Sequence, residues 1–327
     1  MPGLFSRKSK SRSDAVRMCF VTDIHGSERC FKKFLNAGRF YDVGHIILGG
    51  DITGKTMIPI ERANGGWRAT YGDHTYEDLT EGGRAELEQL IRDNGQYPVV
   101  GERDELAEMF SPEQRDQTFE NVVVASIRRW MALAETRLAG SGIRCYVTPG
   151  NDDFWAIDDA LRDSAVVEYV EGRCVRLDDN HEMVTTGYSN ITPWKSPREL
   201  DEPELAARLE EMFTHVEDPS NLVAVLHPPP RGTELDQAPV IDEEFRVKSS
   251  AGEVRMGPVG SSAVRDFIEQ HQPLLALHGH VHESKGAETI GRTLCINPGS
   301  EYTSGVLNCA VVSLFDDKPP EYQFTTG

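Results

Sequence analysis

The feature that most constrains the fold and function of this chain is a set of short apolar runs, each followed by residue types that bind metals. The run Leu274–Leu277 follows Pro273 and is typical of a buried strand. Three alternating histidines come after it, His278, His280 and His282. Imidazole is the commonest metal ligand and titrates near neutral pH, so this cluster indicates either a metal site or proton-transfer chemistry. The histidines alone leave both alternatives open.

Four other predicted strands end in the same way. They cover residues 16–22, 45–48, 143–148 and 222–226, and they are followed by Asp23 with His25, Asp51, Asn151 with Asp152, and His227. In open α/β sheets, ligands bind beyond the carboxyl ends of the strands, so we expect these side chains to converge. Carboxylate, imidazole and amide ligands suit divalent Mn, Fe, Zn or Ni and suit iron–sulfur or structural zinc sites poorly. A carboxylate bridging two ions would hold them ~3.5–4 Å apart, which favours a two-metal hydrolase.

The order of these motifs along the chain resembles that of a known protein superfamily. The succession DIHG, GGD, GND, a strand-end histidine and GHVH resembles the calcineurin-like metallophosphoesterase superfamily from Val16 to about Phe315. The resemblance implies an α/β fold, a four-layer αββα sandwich of two mixed β-sheets. It also implies two sets of metal ligands that share Asp51: Asp23, His25, Asp51 and His282 for one ion, and Asp51, Asn151, His227 and His280 for the other. In that family a hydroxide between the two ions attacks phosphorus in line.

One residue departs from the family pattern. Members commonly carry histidine where this chain has Asp152, and that histidine contacts a phosphoryl oxygen or assists the leaving group. Asn151 and Asp152 are therefore the candidate catalytic residues. A carboxylate at this position repels an anionic substrate unless it is protonated or paired with a cation. The candidate compensating cations are Arg29, Lys55, Lys195 and Arg231.

Two further features are predicted to support the site. His278 lies outside the family's ligand set, and we expect it to hold the ligands in place or to belong to the core. Asn297-Pro298-Gly299-Ser300 resembles a segment that follows the last metal motif in many family members, where it would shape the loop beneath the ligands.

The chain is predicted to form a single domain over 15–318, with an insert at about 55–142 and tails at 1–14 and 319–327. Arginine, lysine and serine in 1–14 are typical of a flexible basic tail. The insert is predicted to hold a hairpin over 57–71, with Trp67, Tyr71 and Tyr76 as packing residues, and a long helix over 111–138. Later predictions are second-sheet strands at 166–170, 173–177 and 183–188, a loop over 231–260, a strand at 290–296 and a closing strand at 306–315.

Composition narrows the functional classes. The formal net charge of −19 disfavours extended nucleic acid as a partner, because polynucleotides are held mainly by lysine and arginine. No apolar run approaches the ~18 residues of a membrane helix, and no signal-peptide pattern occurs, so we expect no membrane partner and a cytoplasmic location. The six cysteines lack CxxC spacing and are expected to be reduced. Homo-oligomerisation is left open.

The sequence therefore favours a metal-dependent hydrolase of small phosphodiesters, such as cyclic nucleotides, with two divalent ions and Mn favoured. Phosphomonoesters are the nearest alternative substrates. A non-catalytic metal-binding scaffold is a second alternative, suggested by Asp152. A nuclease is a third, which the acidic charge disfavours.

Overall fold

The computed structural model describes residues 15–242, 244–250 and 252–327, and the predicted basic tail at 1–14 lies outside them. The strands are β1 (Val16–Val21), β2 (His45–Gly49), β3 (Met57–Ala63), β4 (Gly66–Tyr71), β5 (His74–Leu79), β6 (Tyr97–Gly101), β7 (Arg144–Thr148), β8 (Val167–Tyr169), β9 (Cys174–Arg176), β10 (Glu182–Thr186), β11 (Ser189–Asn190), β12 (Glu199–Leu200), β13 (Leu222–Leu226), β14 (Gln237–Pro239), β15 (Ser249–Ser250), β16 (Glu253–Val254), β17 (Met256–Pro258), β18 (Leu275–Leu277), β19 (Gly286–Ile290), β20 (Thr293–Asn297), β21 (Asn308–Leu314) and β22 (Glu321–Thr326). The helices are α1 (Glu28–Phe40), α2 (Glu81–Asp93), α3 (Arg103–Met109), α4 (Arg115–Leu138), α5 (Ile157–Arg162), α6 (Glu202–Phe213) and α7 (Ser262–His271).

Two six-stranded mixed sheets form the centre of the fold. The first has the order β22-β21-β1-β2-β7-β8, and the second has the order β19-β20-β18-β13-β10-β9. In the first sheet β1, β2, β7 and β8 run parallel, β21 pairs antiparallel with β1, and β22 pairs antiparallel with β21. In the second, β10, β13, β18 and β20 run parallel and both edge strands are antiparallel. Each sheet therefore presents the carboxyl ends of its central strands at one edge.

The alternation of side chains along β1 explains the layers. Met18 and Phe20 belong to the apolar cluster between the two sheets, whereas Cys19 and Val21 belong to the cluster beneath α1 and α4. Successive residues of a strand point to opposite faces, so both faces of β1 are buried. A third cluster lies between the second sheet and helices α6 and α7. The molecule is thus the predicted αββα sandwich.

The predicted insert at 55–142 divides into two parts. Its first part is a four-stranded sheet in the order β5-β4-β3-β6, which packs with α2 around Ile60, Leu87 and Ile91. The predicted hairpin is present as β3 and β4, and the predicted packing role of Trp67, Tyr71 and Tyr76 is confirmed by their contact with this cluster. The second part, helix α4, belongs to the outer layer of the sandwich. Trp130 of α4 stacks on Phe31 of α1 with 4.3 Å between ring centroids.

Several predicted elements need correction. The strand predicted at 166–170 is β8, which lies in the first sheet because the short helix α5 returns the chain to pair parallel with β7. The strand predicted at 290–296 is present as β20, but it begins at Thr293, because Gly291 adopts a left-handed φ of +60° in the turn that joins β19 to β20.

The C-terminal prediction is also wrong. Residues 321–326 form β22, which pairs along its length with β21, so 319–327 is not a tail and 306–315 does not close the fold. β22 is an edge strand that carries mostly polar side chains, which hid it from an apolar pattern.

The loop predicted over 231–260 contains two short antiparallel pairs, β14 with β17 and β15 with β16. The buried Asp236 carboxylate joins the two ends of this segment, because its Oδ2 accepts hydrogen bonds from Gly232 N at 2.9 Å and Gly260 N at 3.2 Å.

The predicted state of the cysteines is confirmed: all six are free thiols, and all except Cys174 are buried. Among the described residues, no helix is both long and apolar enough to cross a membrane.

Candidate metal centre

The predicted ligands come together at the edge where the central strands of both sheets end. Loops after β1, β2 and β7 supply them from the first sheet, and loops after β13 and β18 supply them from the second. The contributing residues are Asp23, His25, Asp51, Asn151, His227, His280 and His282. All are buried except His280 and His282, which are half-buried.

The first group comprises Asp23, His25 and His282, whose potential ligand atoms lie within 4.8 Å of one another. The Nε2 atoms of His25 and His282 are 3.0 Å apart. His282 Nε2 lies 3.4 Å from Asp23 Oδ1. Two imidazole nitrogens and a carboxylate therefore face one point, as they would around a divalent cation.

The second group comprises Asp51, His227 and His280, again within 4.8 Å. His227 Nε2 lies 3.4 Å from Asp51 Oδ1. The side-chain oxygen of Asn151 joins this group, at 3.1 Å from His227 Nε2 and 2.9 Å from His280 Nδ1. An amide oxygen beside a carboxylate and two imidazoles completes a donor set suited to Mn, Fe, Zn or Ni.

Asp51 lies between the two groups. Its Oδ1 faces His227, and its Oδ2 is 3.7 Å from His25 Nε2. One carboxylate thus presents a different oxygen to each group, which is the arrangement that a bridging ligand requires.

The backbone is strained at four of the candidate ligands. Asp23, His25, Asp51 and His280 have φ values of +54°, +39°, +47° and +66°. Non-glycine residues adopt this left-handed region at a cost, and such residues concentrate at functional sites where the surrounding structure enforces them. The strain lets each loop turn sharply at the strand end and aim its side chain inward.

Gly50 lets the loop after β2 approach the ring of His227 more closely than any residue with a side chain would allow. Its φ is +119°, and a Cβ atom placed there would lie 2.3 Å from His227 Nδ1. The GGD motif therefore brings the loop after β2 directly against a histidine delivered by the second sheet.

Hydrogen bonds outside the ligand groups orient the side chains. His227 Nδ1 lies 3.1 Å from the carbonyl oxygen of Gly49, so donation to that carbonyl leaves Nε2 free to bind a cation. Asp23 accepts hydrogen bonds from Thr22 Oγ1 at 2.6 Å and from His280 N at 3.1 Å. The first sheet thereby fixes a loop of the second.

The pKa values follow from burial and charge. Burial alone would raise the pKa of Asp51, but the neighbouring histidines, His227 foremost, hold it well below its usual range. Burial also opposes the charged form of His227, yet the Asp51 carboxylate raises its pKa to about 10. Burial lowers the pKa of His280 to about 4. In the metal-free site Asp51 is therefore a carboxylate and His280 a neutral imidazole, whereas His227 is protonated and must lose a proton before its Nε2 binds a cation.

Comparisons with known proteins support the architecture. No family model matches the chain. An uncharacterized protein of Methanocaldococcus jannaschii is 30% identical over 152 residues, a match that spans 46% of this chain and 61% of that protein. The crystal structure of TT1561 of Thermus thermophilus gives a TM-score of 0.51 at 12% identity and covers 96% of this chain and 98% of that one.

Another crystal structure gives a TM-score of 0.56 at 14% identity and covers 94% of this chain and 98% of that one. A structure described as a novel archaeal phosphodiesterase is 12% identical, covers 95% of this chain and 99% of that one, and gives a TM-score of 0.33. The two-sheet sandwich, with ligand loops at its strand ends in the order of the sequence motifs, settles the fold. The chain has the αββα sandwich that the resemblance to calcineurin-like metallophosphoesterases predicts.

Asp152, the departure from the metallophosphoesterase pattern, is paired with a cation. Lys55 Nζ forms an ion pair with its Oδ2, and Ser196 Oγ donates a hydrogen bond to its Oδ1. Its backbone N donates to Asp51 Oδ1 at 3.0 Å. Asp152 also forms a group of potential ligand atoms with His25 and Asp51. Of the four candidate compensating cations, the structure brings Lys55 to Asp152.

Among the described residues, no ion pair joins Asp152 to the other three candidate cations. Arg29 Nη2 is 3.4 Å from Asp93 Oδ2. Lys195 and Arg231 are exposed.

The two features predicted to support the site do so. His278 is buried, and its Nδ1 lies 2.8 Å and 3.1 Å from the carbonyl oxygens of Leu226 and Pro228, the neighbours of His227. In the 297–300 segment, Asn297 Nδ2 donates to Val281 O at 2.9 Å, and Ser300 Oγ donates to Asp23 O at 2.6 Å. These bonds fix the GHVH loop and the Asp23 loop.

Sequence reasoning missed two residues near the ligands. Asp153 is fully buried and accepts hydrogen bonds from the loop after β2, and its place directly after the GND motif was an available signal. The ring of Tyr302 lies 4.7 Å from that of His25 and 5.9 Å from that of His282. Nothing in the sequence pattern distinguished Tyr302 from an ordinary loop residue.

Proposed function

We propose that this chain is a metal-dependent phosphoesterase that acts on small phosphodiesters. The observation that carries the proposal is the position of Asp51, which presents one carboxylate oxygen to each of two ligand groups. A pair of sites bridged in this way matches the chemistry of phosphoryl displacement, where charge develops on both the attacking and the leaving oxygen.

The residues present fit two divalent ions, with Mn favoured. Asp23, His25, Asp51 and His282 would hold one, and Asp51, Asn151, His227 and His280 would hold the other. When bound, such ions supply Lewis-acid stabilisation and an activated water. The protein's own contribution is to fix the ligand oxygens and nitrogens through the strained loops and to bind the substrate beside them.

The negative charge of the site favours a phosphodiester substrate over a phosphomonoester. Besides the two ligand carboxylates, the site contains the carboxylate of Asp152, which only Lys55 neutralises among the described ion pairs. A phosphodiester carries a single negative charge, whereas a phosphomonoester carries nearly two at neutral pH. The overall charge of −19 further disfavours long polyanionic substrates.

A metal-reconstituted activity panel tests the proposal. The protein is stripped with a chelator, reloaded separately with Mn, Fe, Zn, Ni or Mg, and assayed on p-nitrophenyl phosphate, bis-p-nitrophenyl phosphate, and 2′,3′- and 3′,5′-cyclic nucleotides. We expect metal-dependent turnover that is fastest for diesters.

Asp51→Asn should abolish that turnover. The matched control is Asp42→Asn, because Asp42 is exposed and has a similar φ of +53°. Two tightly bound ions with no turnover of any ester would instead support a binding scaffold. Turnover that survives both chelation and Asp51→Asn would refute the proposal.

A further inference from the structure

The geometry points to Lys55 as the cation that contacts a phosphoryl oxygen of the bound substrate, with Asp152 as the residue that positions it. This inference rests on the proposed phosphoesterase function. It assigns a binding group where the superfamily resemblance leads one to expect a histidine, and it gives Asp152 a role other than proton donation.

Lys55 is placed beside the ligands by a short connection. It lies four residues after Asp51, on the same loop beyond β2. Its ammonium forms an ion pair with Asp152 Oδ2, and Asp152 in turn belongs to a group of potential ligand atoms with His25 and Asp51 that spans at most 4.8 Å. The Lys55 ammonium therefore contacts a residue, Asp152, that itself lies beside the candidate ligands His25 and Asp51.

Contacts to both carboxylate oxygens and to the backbone N fix the position of Asp152. Its Oδ1 accepts a hydrogen bond from Ser196 Oγ, its Oδ2 contacts Lys55, and its backbone N donates to Asp51 Oδ1 at 3.0 Å. Its side chain is only 13% exposed. A carboxylate fixed in this way gives the flexible lysine a defined position, which it would not hold by itself.

The Lys55 ammonium keeps donors for a ligand. An ammonium group has three N–H donors, and the ion pair with Asp152 uses one side of it. The Lys55 side chain is 59% exposed, so its free side faces solvent, from which a substrate would enter. Lys55 is also the cation that offsets the negative charge of Asp152. Without it, Asp152 would repel the phosphoryl group.

The competing role for Asp152 is direct metal ligation. His25, Asp51 and Asp152 could together hold an ion. In that case Lys55 would only balance charge at a distance, and Asp152 would control the metal content of the protein. The two roles predict different effects of the same substitutions.

The experiment uses the full-length chain loaded with Mn²⁺. Inorganic phosphate is titrated into wild type, Lys55→Met, Lys55→Arg, Asp152→Asn and the Lys55→Met/Asp152→Asn double variant by calorimetry. Bound Mn²⁺ is counted in each, and kcat and KM are measured on bis-p-nitrophenyl phosphate. Lys195→Met is the matched control, because Lys195 is an exposed lysine next to Ser196.

We expect Lys55→Met to weaken phosphate binding by about tenfold or more and to raise KM, since a charge-assisted hydrogen bond is lost. Lys55→Arg should recover part of the affinity, and Lys195→Met should stay within about twofold of wild type. Asp152→Asn should retain the wild-type Mn²⁺ content and weaken phosphate binding. In the Lys55→Met background the same substitution should no longer weaken phosphate binding and should strengthen it, because it removes a carboxylate that Lys55 no longer neutralises.

Unchanged phosphate affinity in Lys55→Met would overturn the inference. Loss of Mn²⁺ from Asp152→Asn would overturn the positioning role and support ligation. Either result, obtained with a wild type that hydrolyses esters, leaves the proposed function intact. A wild type that hydrolyses no ester refutes the proposed function instead, whatever the phosphate titration shows.

Discussion

Asp153 and Thr53 are joined by two hydrogen bonds to one oxygen: Asp153 Oδ1 accepts from Thr53 N at 2.8 Å and from Thr53 Oγ1 at 2.6 Å. The second oxygen of Asp153 accepts from Ile52 N at 3.0 Å and Gly150 N at 2.7 Å. One fully buried carboxyl group therefore ties the loop that carries Asp51 to the loop that carries Asn151.

Asp153→Asn should destabilise the protein and weaken metal binding. The amide NH₂ group would face the N–H donors of Ile52 and Gly150 and leave them without an acceptor. Buried donors without a partner cost about 1–3 kcal/mol each, so for these two we expect a loss of about 2–6 kcal/mol in the free energy of unfolding. Urea denaturation measures it. Asp159→Asn, on an exposed side chain, is the control and should change stability by less than about 0.5 kcal/mol.

Gly50→Ala should disrupt the second ligand group. The new Cβ would lie 2.3 Å from His227 Nδ1 and would push that ring away from Asp51. Gly65→Ala is the control for the cost of the left-handed backbone, because Gly65 has a φ of +82° and no neighbouring atom within 4 Å of an added Cβ. We expect Gly50→Ala to lose Mn²⁺ binding at one site, measured by equilibrium dialysis, while Gly65→Ala retains it. Wild-type binding in Gly50→Ala would show that the glycine is dispensable.

His45 should make stability depend on pH. Burial, followed by the charge of Arg144, lowers its pKa to about 4 in the folded state, against about 6.5 for an unperturbed histidine. Below pH 6.5 the unfolded state binds more protons, so the stability contributed by neutral His45 is complete above pH 6.5 and is lost as the pH falls toward 4. From pH 8 to pH 5 this loss amounts to about 2 kcal/mol. His45→Gln should show a flatter profile by that amount in urea unfolding across the range, and identical slopes would contradict the prediction.

Mn²⁺ should stabilise the folded chain. An ion that binds only the folded state adds about 2.7 kcal/mol at a free concentration of one hundred times its Kd, for each site. Thermal unfolding in Mn²⁺ and in chelator measures the difference. Asp51→Asn should lose most of the stabilisation, because Asp51 serves both groups, and Asp42→Asn should keep it. Equal melting temperatures with and without Mn²⁺ in wild type would argue against a resident metal.

The convergence of the candidate ligands could be predicted from the sequence, because each of them closely follows an apolar strand. A strand end fixes where a side chain emerges, and parallel strands bring such ends to one edge of a sheet. His227 follows β13 directly, and its Nε2 lies 3.4 Å from Asp51 Oδ1.

The remaining features depend on contacts between distant parts of the chain. The pairing of Lys55 with Asp152 joins residues on separate loops, and four candidate cations were equally plausible in the sequence. The pairing of β8 with the first sheet depends on α5, and β22 carries mostly polar residues on an edge. The left-handed backbone at Asp23, His25, Asp51 and His280 leaves no mark in residue type, because it is imposed by the packed loops around each ligand.

The most direct test of a binuclear phosphoesterase is a stepwise Mn²⁺ titration of the stripped protein, with hydrolysis of bis-p-nitrophenyl phosphate measured at each addition. Wild type should bind two equivalents, with activity rising as the second site fills, and Asp51→Asn should bind no more than one and remain inactive. Full activity after a single equivalent, or two equivalents and wild-type rates in Asp51→Asn, would contradict the assignment of Asp51 as the shared ligand.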